Sequence, residues 1–405
     1  MDGETSNGLS GGIFSQVNSE AKGNSGGIEL TTPSLEVTNG AIVSASTFGV
    51  GDSGAVKITA TDLVHLDGET SNGFSSGVYS QVNSEAKGDS GGIELTTSTL
   101  EVASGAAVSA STGGEGDAGT VRIIANDLVR LDGETSNGAS SSITSQVLSG
   151  AEGNSKGIEL TTSTLELTNG AAVSASTGGE GDAGTVRITA NDSVRLDGET
   201  SNGASSSITS QVFSGAEGNS EGIELTTSTL ELTNGATVNT STLGVGDSGT
   251  VRIIANDSVR LDGETSNGAS SSITSQVLSG AEGNSKGIEL TTSTLELTNG
   301  ATVNASTLGV GDSGAVRITA NDSVRLDGET SNGASSSITS QVLSGAEGNS
   351  KGIELTTSSL ELTNGATVNT STLGVGDSGT VRIIANDSVR LDGETSNGAS
   401  SSITS

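Results

Sequence analysis

Oxygen donors dominate what this sequence could offer to chemistry. Asp262-Gly263-Glu264, with Asn267 three residues on, brings two carboxylates and an amide into one short turn. Hard donors of that kind suit a divalent cation such as calcium, but the EF-hand spacing and its flanking helices are missing. Asp-Gly and Asn-Gly are also the ordinary residues of a tight turn, which accounts for the cluster without any ion. Paired carboxylates can run acid–base catalysis only as one asymmetric constellation. Here each carboxylate recurs about six times along the chain. The lone histidine, His65, stands where equivalent positions carry Arg130 and Arg195. It therefore reads as a surface substitution, since no Ser or Cys nucleophile is singled out beside it. Cysteine is absent, which excludes disulfides, zinc–thiolate clusters and thiol chemistry. No GxxxxGK[ST] phosphate loop occurs. Accordingly no catalytic, cofactor-binding or metal-ligating residue is assigned, and the chain is expected not to be an enzyme.

The elements that would position such residues must be unusual. The chain has 405 residues, 48 of them acidic against 16 Lys and Arg, for a formal charge of −32. That charge would repel phosphate, so nucleic acid is excluded as a partner. Anionic lipid is disfavoured for the same reason, and no run of 18 apolar residues predicts membrane insertion. Aromatics make up 1% of the chain, too few to fill an ordinary globular core. In the window 261–325, Leu, Ile and Val together number only 14, near the level at which chains stop folding. Order has to come from arrangement.

The arrangement is a repeat. DGETSNG begins at Asp2, Asp67, Asp132, Asp197, Asp262, Asp327 and Asp392, always with the same 65-residue step. Residues 1–405 thus form a single continuous array, with six 65-residue repeats over 2–391 and a partial repeat at 392–405. Within one unit the pattern has period two. Val316–Thr319, Val324–Leu326, Ile338–Val342, Ile353–Leu355, Leu360–Leu362 and Ala366–Val368 each read apolar, polar, apolar, as half-buried strands do. Asp-Gly, Asn-Gly and Gly-Asp punctuate them. The unit then divides into two three-strand coils, a longer one from Val316 to Gly352 and a shorter one from Ile353 to Thr380. Stacked in parallel, such coils acquire a core that no single repeat could bury. The fold expected is an all-β parallel β-helix, a solenoid of twelve coils and roughly 58 Å at about 4.8 Å per coil.

Charge supports that stack. Outward positions on the first strand hold Arg252, Glu289, Arg317, Glu354 and Arg382 in chain order, and those on the second hold Arg260, Glu296, Arg325, Glu361 and Arg390. In-register stacking alternates cation and carboxylate up each column, worth a few tenths to about 1 kcal/mol per pair. Eleven of the 16 basic residues lie in these two columns, leaving the excess acid in the turns at Asp262, Glu264, Glu282 and Asp312.

Strings such as IELTTSTLELTNGATVNASTLGVGDSGAVRI (Ile288–Ile318) resemble the repeats of filamentous-haemagglutinin-type exoproteins, particularly the large cyanobacterial ones. The resemblance covers essentially the whole chain, through an LTNGA–V–AST–G–GD–G frame and an NG–S–Q–GN–G frame. It implies a right-handed parallel β-helix and export by two-partner secretion through an outer-membrane partner. It also implies an extracellular or cell-surface location and adhesion to a host-cell, glycan or matrix surface. Members of that family begin with a signal peptide and a secretion domain, and neither is visible in this sequence. The sequence starts at Met1, where later units carry Leu66, Leu131 or Leu196, and stops mid-unit at Ser405. A fragment, or a start codon placed within a longer frame, is expected.

Other features are weighed against that reading. GGEGDAGTV (Gly113–Val121, again Gly178–Val186) resembles the calcium-binding nonapeptide of β-rolls, but Asp117 falls one position early and the motif recurs with the 65-residue period of the whole unit. Thr291-Thr292-Ser293-Thr294 hints at an ice-binding array, which alternating Arg and Glu would interrupt. Phe14 and Tyr79 are equivalent and should point outward, with Thr144, Thr209 and Thr274 replacing them later. Outward aromatics can stack on sugars or partners, although scattered ones are normal on any surface. Phe48, aligned with Leu243 and Leu308, should pack beneath its turn. The function expected is a repetitive, non-catalytic shaft segment of an adhesin-like exoprotein. A calcium-stabilised extracellular solenoid is the alternative, and a carbohydrate-active β-helix the more distant one.

Overall fold

Short apolar–polar alternations separated by glycine turns produce a stack of parallel coils. The structure is a computed structural model that describes residues 1–3, 10–135, 138–200, 203–265, 268–330, 333–396 and 398–405. The chain enters through β1 (Gly12–Phe14), β2 (Ile28–Thr38), β3 (Ile42–Ser44), β4 (Val56–Asp67) and β5 (Gly77–Tyr79), and long and short strands alternate in this way to the C-terminus. Long strands pair only with long strands and short with short. They make a 12-stranded and a 13-stranded sheet, both parallel and both in sequence order. The third side has no named strand among the described residues. Single bridges connect its coils, such as Val277↔Thr307↔Val342 and Glu282↔Val310↔Glu347.

Two features depart from three equal sides. The expected first and second strands of each coil are fused into one, as in Val316–Asp327 and Ile353–Thr363. The corner between them is a β-bulge: Ala320 pairs with Thr357 and Ser323 with Ser359, so Asn321 and Asp322 oppose Ser358 alone. Ser358 secures the bulge by donating to the Asn321 carbonyl at 2.8 Å. The expected third strand, Ile338–Val342, is reduced to Ser337–Thr339 followed by the lone bridge at Val342.

The core is aliphatic. Val316, Ile318, Ala320, Val324, Leu326 and Ile338 from one coil stack on Ile353, Leu355, Leu360, Leu362 and Val368 from the next, all buried. At the third side the interior turns polar, and its serine hydroxyls are hydrogen-bonded while bridge threonines such as Thr307 have no partner among the described residues. Ser145 donates to the Gly119 carbonyl at 2.8 Å, and Ser155 to the Ser145 carbonyl at 2.6 Å. Buried hydroxyls with partners cost little, which is how a chain with so few large apolar residues closes its interior. One turn shows why glycine recurs: Asn364 and Gly365 both have positive φ (53° and 83°). A Cβ on Gly365 would come within 2.1 Å of Thr395 Cγ2.

Candidate functional site

The outer wall of the long sheet is a lattice of ion pairs. Register places Arg317 between Glu289 and Glu354, and Arg325 between Glu296 and Glu361. Arg325 reaches Glu296 Oε1 at 2.7 Å, Asp327 Oδ2 at 2.8 Å and Glu361 Oε2 at 3.8 Å. Arg187 donates to Glu224 at 2.8 Å, which raises its pKa. His65 lies in the same column between Glu36 and Glu101, its Nδ1 3.1 Å from Glu101 Oε2. It is a member of the ladder. The hydroxyls of the Thr-Ser-Thr strings are also engaged: Thr292 is buried and donates to the Thr294 carbonyl, and Ser293 donates to the Asn256 carbonyl.

The turn carboxylates that could have bound calcium have protein partners. Asp262 Oδ1 accepts from Thr298 Oγ1 at 2.6 Å and Asn299 Nδ2 at 2.7 Å, and its Oδ2 faces Arg260 at 2.9 Å. The backbone of Glu264 pairs with that of Ser270 across the same turn, and Asn267 lies outside the described residues. Asp117 sits in a ladder of Asp and Asn in which each side chain accepts the backbone N–H of the next coil's residue. Asp117 Oδ1 takes Asn154 N at 2.8 Å, and Asn154 Oδ1 takes Asp182 N at 2.9 Å. Lys156 completes the shell of Asp117. Burial opposes ionisation of Asp117, but Lys156 and Asn154 outweigh it and its pKa falls. Asp312 is likewise lowered, by Lys351 first and the Asn349 N–H second. Among the described residues no three His, Cys, Asp or Glu side chains gather closely enough to share a metal ion.

One acidic column lacks this compensation. Glu115, Glu152, Glu180 and Glu217 bridge in direct succession on the third side. Lys87 pairs with Glu115. None of the other three has an ion-pair partner among the described residues.

The aromatic residues also break the repeat at the surface. Phe14, Ser44 and Tyr79 follow one another across β1, β3 and β5. Phe14 is exposed as expected. Tyr79 is not erect: it is half-buried, its ring is folded over Gly77, and its hydroxyl donates to the Ser75 carbonyl at 3.3 Å. Burial pushes its pKa up to about 12. Phe48 does not pack beneath its turn. It is 43% exposed, because the turn's underside is filled by backbone: a Cβ on the adjacent Gly49 would lie 2.5 Å from the carbonyls of Asn18 and Ala21. Phe48, Phe74 and Tyr79 line an open cleft of about 220 Å³ together with Ile42, Gln81 and Asn83. Phe74, Gln81 and Asn83 were not singled out from the sequence. The signal was available, because Ile42, Phe48, Phe74, Tyr79 and Asn83 all differ from the residues one repeat later: Ala107, Gly113, Ala139, Thr144 and Leu148.

Comparison with protein-family models, with curated proteins and with solved structures finds no match to this chain.

Proposed function

We propose that this chain is a stiff, non-catalytic spacer: a shaft segment of a secreted or cell-surface, adhesin-like exoprotein that holds other parts of the molecule away from the cell. The observation that carries this reading is the unbroken ladder of twelve parallel long strands, with cation and carboxylate alternating up its outer wall. Each coil is fixed by backbone hydrogen bonds to the coils above and below, so stiffness is a property of the repeat and length a matter of copy number. Carboxylates committed to holding coils together are poor catalysts, because acid–base work needs a group free to exchange its proton with substrate. The resemblance to filamentous-haemagglutinin-type repeats supports export through an outer-membrane partner.

Small-angle scattering tests the mechanical part. A rod of roughly 58 Å, set by about 4.8 Å per coil, is expected, and a flexible-chain profile would overturn it. Export is tested separately, by protease accessibility of the chain on intact cells that carry an outer-membrane transporter of the two-partner type. A chain that stays protected inside such cells would refute the surface location.

A further inference from the structure

We infer that the cleft between β1, β3 and β5 is a binding site for a neutral sugar ring. Four observations converge on it. First, the cleft breaks the repeat: Ile42, Phe48, Phe74, Tyr79 and Asn83 are replaced one unit later by Ala107, Gly113, Ala139, Thr144 and Leu148. A specific site needs such differences, because a feature shared by every coil cannot select one place. Second, three of the chain's five aromatic residues meet there, Phe48 and Phe74 exposed and Tyr79 half-buried. Their flat apolar faces suit the C–H face of a pyranose.

Third, the polar groups among them are neutral. Gln81 Nε2 is committed to Ser109 Oγ at 2.9 Å and Asn83 Nδ2 to the Thr47 carbonyl at 3.1 Å. Those bonds fix each amide and leave Gln81 Oε1 and Asn83 Oδ1 without a hydrogen-bond partner among the described residues. Fixed, unengaged acceptors match hydroxyl donors. Fourth, among the described residues no charged side chain lines the cleft, in a chain of formal charge −32 whose long-sheet wall is a lattice of ions. A sulfated or carboxylated sugar would find no cation to receive it. The volume, about 220 Å³, falls below the roughly 300 Å³ at which drug-sized pockets begin, so the cleft takes one ring of a longer chain. The inference does not depend on the spacer reading and would stand if the rod proved flexible elsewhere.

The protein carries its own reporter. Tyr79 is the only tyrosine and there is no tryptophan, so intrinsic emission reports this cleft alone. The experiment titrates the whole chain with cello-, malto-, manno- and chito-oligosaccharides, and with a sulfated heparin oligosaccharide for contrast. A saturable change in tyrosine emission is expected with at least one neutral series. F48L/F74A should weaken that binding at least tenfold while leaving Tyr79 in place. Leu243 and Ala139 occupy these positions in other repeats, so the variant should keep the wild-type circular dichroism and melting curve. Y79T, which copies the residue that the next repeat carries as Thr144, should also weaken binding when followed by calorimetry. No response to any neutral series, undiminished binding by a folded F48L/F74A, or preference for the sulfated probe would each overturn the inference.

Discussion

Asp327 and Asn364 are locked together across adjacent coils: Nδ2 of the asparagine donates to Oδ1 of the aspartate at 2.7 Å. Thr363 Oγ1 donates to the same oxygen at 2.6 Å, and Arg325 takes the other at 2.8 Å. Asn364 has φ of 53°, a conformation that is costly for most side chains and that local hydrogen bonding helps to hold. Burial works against the Asp327 carboxylate, but the bonds from Thr363 and Asn364 and the charge of Arg325 prevail, so its pKa lies below the ordinary 3.8. The same clamp joins Asp132 to Asn169, Asp197 to Asn234 and Asp262 to Asn299. What resembles a calcium turn in the sequence is a fastener between coils.

One unit lacks the clamp. Asp67 faces Ala103 and Ser104 where later units have Thr and Asn, and Ser104 still holds a φ of 50°. Installing A103T/S104N should stabilise the fold by about 1 kcal/mol, one net hydrogen bond's worth. Where the clamp already stands at Asp327, the lowered carboxyl pKa gives it a definite pH signature. A carboxylate whose folded pKa is depressed contributes fully above its unfolded value of about 3.8, and the contribution is lost as pH falls through the folded value. Urea denaturation at neutral pH and at about pH 2 checks both points. A gain that survived at the acid end would show that the added side chains act without the carboxylate.

The stacked glutamates call for a prediction of opposite sign. Glu152 and Glu180 bridge directly to each other, and like charges facing across a parallel pair repel by a few tenths of a kcal/mol or more. Later units relieve this by alternating Glu with Val at the same position, as at Val245 and Val310. Glu180→Val should therefore raise the melting temperature at low salt. At about 1 M salt, where screening acts over roughly 3 Å, most of that advantage should disappear. Melting curves at the two ionic strengths decide it. A salt-independent gain would assign the effect to the β-propensity of valine.

A buried hydroxyl on the same side makes a third test. Thr307 is fully buried between Val277 and Val342, and its Oγ1 has no hydrogen-bond partner among the described residues. Stranding a hydroxyl in this way costs on the order of 1 kcal/mol or more. Valine fills nearly the same shape, so Thr307→Val should stabilise by about 1 kcal/mol in chemical denaturation. A loss of stability would mean that an internal water, which valine could not bind, satisfies the hydroxyl.

Sequence alone made the stacking legible because period-two alternation and a constant 65-residue period leave few other ways to bury Val316, Ile318, Leu326 and their copies. The Arg–Glu columns followed from the same register. The bulge did not. Ala320-Asn321-Asp322-Ser323 carries the turn residues of a corner, and only backbone pairing across it shows that the strand continues. The roles of Asp262 and Asp117 were also hidden, because a carboxylate looks the same in sequence whether its partner is an ion or an Asn 37 residues later. The cleft was missed at Phe74 and Asn83 for another reason: repeat analysis rewards what recurs, and these two residues matter because they do not.

Tyr79 allows the geometry of that cleft to be tested without any ligand. It is the only phenol in the chain, so absorbance of the phenolate titrates one group. Burial over Gly77 raises its pKa from 10.0 to about 12. In urea the titration should return to about 10, the value for an exposed tyrosine. The sign for stability follows. Between the unfolded and folded values the native chain retains a proton that the unfolded chain has lost, so stability is full below the lower value and declines as pH rises toward the upper. Tyr79→Phe, which cannot ionise, should remove that part of the alkaline decline while matching the wild type at neutral pH. A native tyrosine that titrates at its ordinary value would place the ring out in solvent, and the cleft would lose the wall that Tyr79 gives it.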